Sequence, residues 1–285
     1  MFPIDNSTAA TSLPTPAAAG TPGFFTDGSP GAGTPATIVP ADWFNGVQQE
    51  LINVIEGAGL SPNKTVQNQV LAAIKLLSAG RFLGATVMTT SGTFTPNPLA
   101  TKTRVRGCGG GGSGGNSSTT STGQVSLGGG GMCAAAGEAL FSGALSGPIS
   151  VTIGSGGVPS GALGAAGTAG TATTFGALLT FPGGNAGAGS AALTAPATVE
   201  ASGASVVLPT TTGTFLWSTG TSNTNCRSTA ISSAVHYAGN GTACAFGFGN
   251  SGHGSGGTGV AIGPSTSGIT GGNGQDGLLI IEEYA

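Results

Sequence analysis

Apolar side chains recur at alternating three- and four-residue intervals at Phe44, Val47, Leu51, Val54 and Ala58, which predicts a helix over residues 41–58 with a short heptad seam. Trp43, Ile52 and Ile55 make its apolar face wider than a two-stranded contact would use. Asp42 falls in the first turn, where its charge suits the positive end of the helix dipole. Gly57 and Gly59 end the helix, and Ser61-Pro62 open a turn. Val66, Val70, Ile74 and Leu77 then predict a second helix ending near Gly80. Two heptads are too short for a free coiled coil. The expectation is therefore a helical hairpin packed about a symmetry axis or onto another protein, the alternative being a small helical subdomain of a monomer.

Beyond Arg81 the pattern changes to short strands and turns. Strands are predicted at Thr86-Val87-Met88, Gly92-Thr93-Phe94-Thr95, residues 102–106, 149–153, 173–181 and 206–208, and Thr214-Phe215-Leu216-Trp217. A last strand runs through Leu278-Leu279-Ile280-Ile281-Glu282-Glu283-Tyr284, where the unalternating start implies burial on both faces. No helix is predicted after Leu77. Residues 1–40, rich in Pro, Thr, Gly and Ala, read as an extended arm whose one apolar knot is Phe24-Phe25.

The alternating run Lys102-Thr103-Arg104-Val105-Arg106 passes directly into Gly107-Cys108-Gly109-Gly110-Gly111-Gly112-Ser113-Gly114-Gly115, and glycine returns at 128–131. Glycine has no side chain to bury and loses the most backbone entropy on ordering. Such a stretch is either disordered or packed backbone to backbone, where a Cβ would be in the way. Packed polyglycine helices and loops of a β-sandwich are both compatible with the pattern.

Composition favours the ordered outcome. Of 285 residues 56 are glycine and only 6% are charged, so disorder driven by charge is excluded. The glycines lack the strict collagen period. Small side chains bury little apolar area, so subunits are expected to supply one another's missing burial. A formal net charge of −3 gives no footprint for nucleic acid. The N-terminal residues lack the pattern of a signal peptide, and no apolar run approaches the ~18 residues of a membrane span. The four cysteines form no CxxC pair, which suits cytoplasmic synthesis with reduced thiols.

Chemistry is sparse. A phosphate loop would need a lysine and a hydroxyl after the glycines, and Gly115 is followed by Asn116-Ser117-Ser118. Between Gly107 and Gln275 the carboxylates are Glu138 and Glu200, and the one basic side chain is Arg227. Paired-carboxylate glycoside hydrolysis is therefore not expected, and each glutamate is read as solvated or capping. No nucleophile elbow accompanies His236 or His253, so no enzyme activity, cofactor or metal site is expected. Cys226 and Cys244 read as buried thiols, with a disulfide between them as the alternative in an oxidising medium. A binding surface is the stronger candidate: residues 215–253 concentrate rings and amides, which suit saccharides or protein loops. Trp217 and Phe215 read as core. His236, Tyr237, Asn240, Asn250 and His253 are the candidate receptor contacts.

Both ends of the chain resemble phage and prophage tail fibre proteins. The likeness is carried by Phe25-Thr26-Asp27-Gly28-Ser29-Pro30, Ala41-Asp42-Trp43-Phe44-Asn45-Gly46-Val47-Gln48-Gln49-Glu50-Leu51 and Asn68-Gln69-Val70-Leu71-Ala72-Ala73-Ile74. Thr90-Ser91-Gly92-Thr93-Phe94-Thr95-Pro96, the polyglycine run and the closing Gly277-Leu278-Leu279-Ile280-Ile281-Glu282-Glu283-Tyr284 complete it. The resemblance implies a homotrimeric fibre, mainly β with a small N-terminal α-helical part and a glycine-rich, β-sandwich-like distal domain. Residues 1–40 would be an attachment arm and 41–80 the hairpin for tail or baseplate attachment and trimerisation, through Phe24, Phe25, Trp43, Phe44, Val47, Leu51 and Val54. Residues 81–285 would contact a bacterial surface receptor: polysaccharide, outer-membrane protein or pilus. The implied location is the virion tail, after synthesis in the host cytoplasm. A purely structural tail component and a surface-polysaccharide depolymerase are the alternatives.

Overall fold

The computed structural model describes residues 2–78, 80–201, 207–222, 226–244 and 252–285. The chain divides into two compact units, Met1–Ala79 and Gly80–Ala285. It is mainly β, built from antiparallel sheets, with two helices near the N-terminus.

In the first unit, α1 (Ala41–Gly57) and α2 (Gln69–Leu77) pack together and bury Ile52, Ile55 and Ala73. Gln69, buried at the start of α2, holds the connecting turn: its Nε2 donates to the Ser61 carbonyl and its Oε1 accepts the Asn63 N–H, both at 2.8 Å. The arm lies along the helices. The Ile4 N–H donates to Gln48, the Ala17 N–H to Asp42, and Asp5 pairs with Lys64. The ring of Phe25 meets that of Trp43 edge-on at 5.2 Å, and Trp43 meets Phe44 the same way at 5.5 Å.

The second unit begins with β1 (Phe82–Met88), β2 (Gly92–Phe94), β3 (Lys102–Cys108), β4 (Gln124–Gly128), β5 (Ala136–Ser142), β6 (Ile149–Thr152), β7 (Thr173–Phe175) and β8 (Leu179–Phe181). It continues with β9 (Leu193–Thr194), β10 (Ala197–Val199), β11 (Thr210–Thr211), β12 (Thr214–Thr219), β13 (Ser228–Ala230), β14 (His236–Tyr237), β15 (Val260–Ile262) and β16 (Leu278–Tyr284). One five-stranded sheet has the order β1-β16-β3-β5-β12, and a second has β11-β8-β7-β6-β2. They face each other as a sandwich. Val105, Ala139, Phe141, Leu279 and Ile281 from the first meet Phe94, Val151, Phe175, Leu179 and Phe181 from the second. Residues 173–181, expected as one strand, form a hairpin turning at Gly176, whose φ of 53° suits glycine. The strand expected at 206–208 does not form at Val207 and Leu208, which precede the donorless Pro209; Val206 lies outside the described residues.

Strands of the sandwich run on as glycine-rich segments that bond sideways, not along their own length. Within 109–117 the N–H groups of Gly109, Gly112 and Gly115 donate to Ala135, Met132 and Gly129. Those of Gly110, Ser113 and Asn116 donate to Thr171, Thr168 and Ala165, and those of Gly111, Gly114 and Ser117 to Gln275, Gly272 and Ile269. Every third residue thus faces the same neighbour, the register of a polyproline II-type chain with three residues per turn and no internal bonds. The carbonyls of Gly110, Ser113 and Asn116 accept from Gly184, Gly187 and Ser190, while Gly111 accepts from Gly157 and Gly112 from Gly257. The segment therefore donates to three neighbours and accepts from three others, six rods about one.

The packing explains the residue choice. A methyl on Gly111 or Gly114 would overlap the carbonyl oxygen of Ser255 or Thr258, and one on Gly112 or Gly115 that of Asn185 or Ala188. Side chains enter at Ser113 and Asn116, one turn apart on the face toward residues 160–168. There Ser113 Oγ accepts from the Thr168 N–H and Asn116 Nδ2 donates to the Ser160 and Ala162 carbonyls.

All four cysteines are buried thiols, none of them in a disulfide. The expected alternative of a Cys226–Cys244 disulfide is not what the structure shows. Cys226 contacts the Gly131 carbonyl and Thr242 Oγ1, whereas Cys244 packs with Cys108, Cys133 and Leu278 beside the glycine rods. Contact with Cys244 and burial push the Cys108 thiol up, and burial pushes Cys133 up to about 11.

Candidate functional site

Two surfaces of the second unit carry chemistry: the outer face of the β1-β16-β3-β5-β12 sheet and the end at which the glycine rods turn.

On the sheet, Arg106 lies opposite Glu138 in the β3–β5 ladder, and Glu138 opposite Trp217 in the β5–β12 ladder. A register shift between Phe215 and Trp217 inserts Leu216, so Phe215 packs on the core while Trp217 emerges on the other face. That corrects the expectation that both rings are core. Glu138 is not solvated or capping either: it is 5% exposed, accepts from Arg104 Nε and takes the Trp217 indole N–H at 3.2 Å. The Arg104 bond holds its carboxyl below the usual range against the opposing effect of burial. Arg104 and Arg106 also reach Glu282 at 3.4 and 3.2 Å. The start of β16 is buried on both faces as expected, Leu279 and Ile281 in the sandwich core and Leu278 and Ile280 on the cysteine cluster, and the ion network covers its second face only from Glu282 onward. The network's two arginines and two glutamates compensate one another's charge.

At the opposite end of the rods five turns come together, at residues 118–123, 159–164, 191–196, 231–235 and 263–269. Thr120 Oγ1 donates to the Gly263 carbonyl and Gly268 N–H to Thr119 Oγ1. Gly164 sits against Ser118 and Ser190, and Ser126 Oγ donates to the Ser190 carbonyl. The His236 ring and the Ser233 carbonyl lie against Gly263. Beneath the turns Val125, Leu127 and Ala230 form a small core with Leu193 and Ala195 against them. Asn116, fully buried, fastens two turns at once: its Nδ2 holds 160–162 and its Oδ1 accepts the Gly271 N–H at 3.0 Å.

The candidate receptor contacts do not form one cluster. His236 and Tyr237 are at the turn end, and Tyr237 is 61% exposed. Asn240 is exposed on the flank, near the level of Gly130. His253 lies at the other end of the rods, where Nδ1 is 3.2 Å from the Asp276 carbonyl and the next residue, Gly254, meets Cys108. The nine steps from Gly254 to Gly263 rise roughly 28 Å. Asn250 lies outside the described residues. Leu163, Ile231, Val235 and Ile269, exposed at the turn end, were missed because they are isolated apolar residues of turns far apart in the sequence, and only the packing of distant segments gathers them.

In the first unit the candidate attachment residues form an open surface. Phe24 is fully exposed, Phe25, Trp43, Phe44 and Val47 are exposed, and Leu51 and Val54 are half-buried. The N-terminal part of the α1 seam is thus left open at Phe44 and Val47, while Ile52 and Ile55 are the residues that α1 buries.

Comparison with known proteins gives partial matches. The chain is 39% identical over 84 residues to tail fiber protein S of Escherichia phage Mu, covering 29% of this chain and 16% of that protein. It is 43% identical over 58 residues to the Mu-like prophage FluMu defective tail fiber protein of Haemophilus influenzae, 20% of this chain and 9% of the relative. It is 42% identical over 57 residues to the uncharacterized protein StfP of Escherichia coli K12, 20% of this chain and 27% of that one. The chain thus spans well under a third of the length of each of these relatives. No family model matches it.

Proposed function

We propose that this chain is a trimeric phage tail fibre component, held to the tail or baseplate through its first unit and contacting the bacterial surface through the turn end of its second. The observation that carries the reading is the turn end itself: five loops, three of them with exposed apolar side chains, on a bundle of rods packed backbone to backbone. Partial identity to two proteins named as tail fibre proteins supports the virion setting. The α1 seam supports self-association, because an apolar stripe at heptad spacing that stays exposed at Phe44 and Val47 in the single chain fits copies of itself about an axis. Three copies on a multivalent particle would turn modest single-site affinity into firm attachment. Within this reading the protein performs no chemistry.

The test is competition. Purified full-length chain is added to host cells before the virus, and residual adsorption is measured. Blocked adsorption is the expected result. Unimpeded adsorption at saturating protein favours the purely structural reading, and release of reducing sugar from the cells favours a depolymerase.

A further inference from the structure

The chemistry of the turn end narrows what it can hold. The five turns contain no Asp, Glu, Lys or Arg. Arg227, the one basic side chain between Gly107 and Gln275, is paired with Glu200 on the flank below, at the level of Gly129. Phosphorylated or acidic sugars are recognised above all by the arginine fork or a lysine, and the turns offer neither, the imidazole of His236 being half-buried against Gly263.

Neutral sugars ask for something else: a ring to cover the apolar face and side-chain amides for the hydroxyls. The amide of Asn116 is buried and spent on Ser160, Ala162 and Gly271. The oxygen of Gln124 is taken by the Ser121 N–H. Among the described residues the exposed side chains here are branched aliphatic, Leu163, Ile231, Val235 and Ile269, with the ring of Tyr237 beside the half-buried His236, set among Ser and Thr hydroxyls. Such a patch binds by removing apolar area from water, at about 25 cal/mol per Å², and so needs a partner with apolar area of its own.

We propose that the turn end recognises a polypeptide surface bearing apolar side chains, and not an anionic or neutral glycan. The inference rests on the host-recognition reading above. Its test uses fluorescently labelled full-length chain and cells of a bacterium on which the parent virus plates, either untreated, shaved with protease or oxidised with periodate. Binding is expected to survive periodate, to vanish after protease, and to change less than about 3-fold between 0.1 and 1 M NaCl, since no exposed ion pair is screened. The double variant Ile231→Asp/Ile269→Asp, at two exposed sites, is expected to weaken binding by about 10-fold or more. Val87→Asp, exposed on the sandwich, is expected to leave it unchanged. Protease-resistant binding that periodate or salt abolishes overturns the polypeptide partner and leaves the tail-fibre reading intact. Protease-sensitive binding indifferent to the double variant overturns the placement at the turns. Absence of binding to any of the cells overturns host recognition and this inference together.

Discussion

Trp217 donates its indole N–H to Glu138, and the same carboxylate is held by Arg104 from the strand on its other side. The folded carboxyl is depressed, so its contribution to stability is complete above the unfolded value of about 4.3 and is lost as pH falls through the folded value. Glu138→Gln is expected to cost about 1–3 kcal/mol at pH 7. In urea titrations the gap to the wild type should close below pH 4. A gap of equal size at pH 3 and pH 7 would show that the charge is not what matters.

Gly114 and Gly161 differ in what surrounds them, backbone in one case and open space in the other. Gly114→Ala puts a methyl on the Thr258 carbonyl and is expected to cost more than about 4 kcal/mol or to prevent folding. Gly161→Ala should shift stability by less than about 1 kcal/mol. Equal effects on thermal melting would refute the close packing of the rods.

The thiols are expected to be silent in the native protein. At pH 8 a thiol raised to about 11, as at Cys133, is almost wholly protonated, and the protonated form does not attack. Titration with an aromatic disulfide reagent should give essentially no rapid reaction in buffer and four thiols per chain in guanidinium. A fast native phase would contradict the burial of Cys108, Cys133, Cys226 and Cys244.

Self-association is tested on the exposed part of the seam. At micromolar concentration the wild type should sediment as a trimer, and Val47→Asp as a smaller species with unchanged helix content, because Val47 is exposed in the single chain. A wild-type monomer sinks the proposal.

The sequence was informative wherever side chains make the contacts. Heptad spacing located α1, alternation located β3, and an unbroken apolar run located β16. Position by position, burial then followed partners the pattern does not reveal: α1 buries Ile52 and Ile55 and leaves Phe44 and Val47 open. The bulge at Leu216 reversed the facing of Trp217, a one-residue effect invisible to periodicity. Among the glycines the backbone is both donor and acceptor, so partners such as Gly111 and Gln275 leave no trace in composition. One trace was there to be read: Ser113 and Asn116 stand three apart in a field of glycine, the turn length of the rod they decorate.

A three-residue screw within a six-neighbour bundle makes the interior intolerant of changed length. Adding or deleting one residue between Gly109 and Ser117 would rotate every later N–H by about 120°, onto a rod whose acceptor is already taken. The turns obey no such count, since each needs only to reach the next rod. Insertions, deletions and substitutions can therefore accumulate at one end of the unit while the shaft behind stays fixed, and a lineage facing a changing adversary could redraft its contact surface without re-solving its fold.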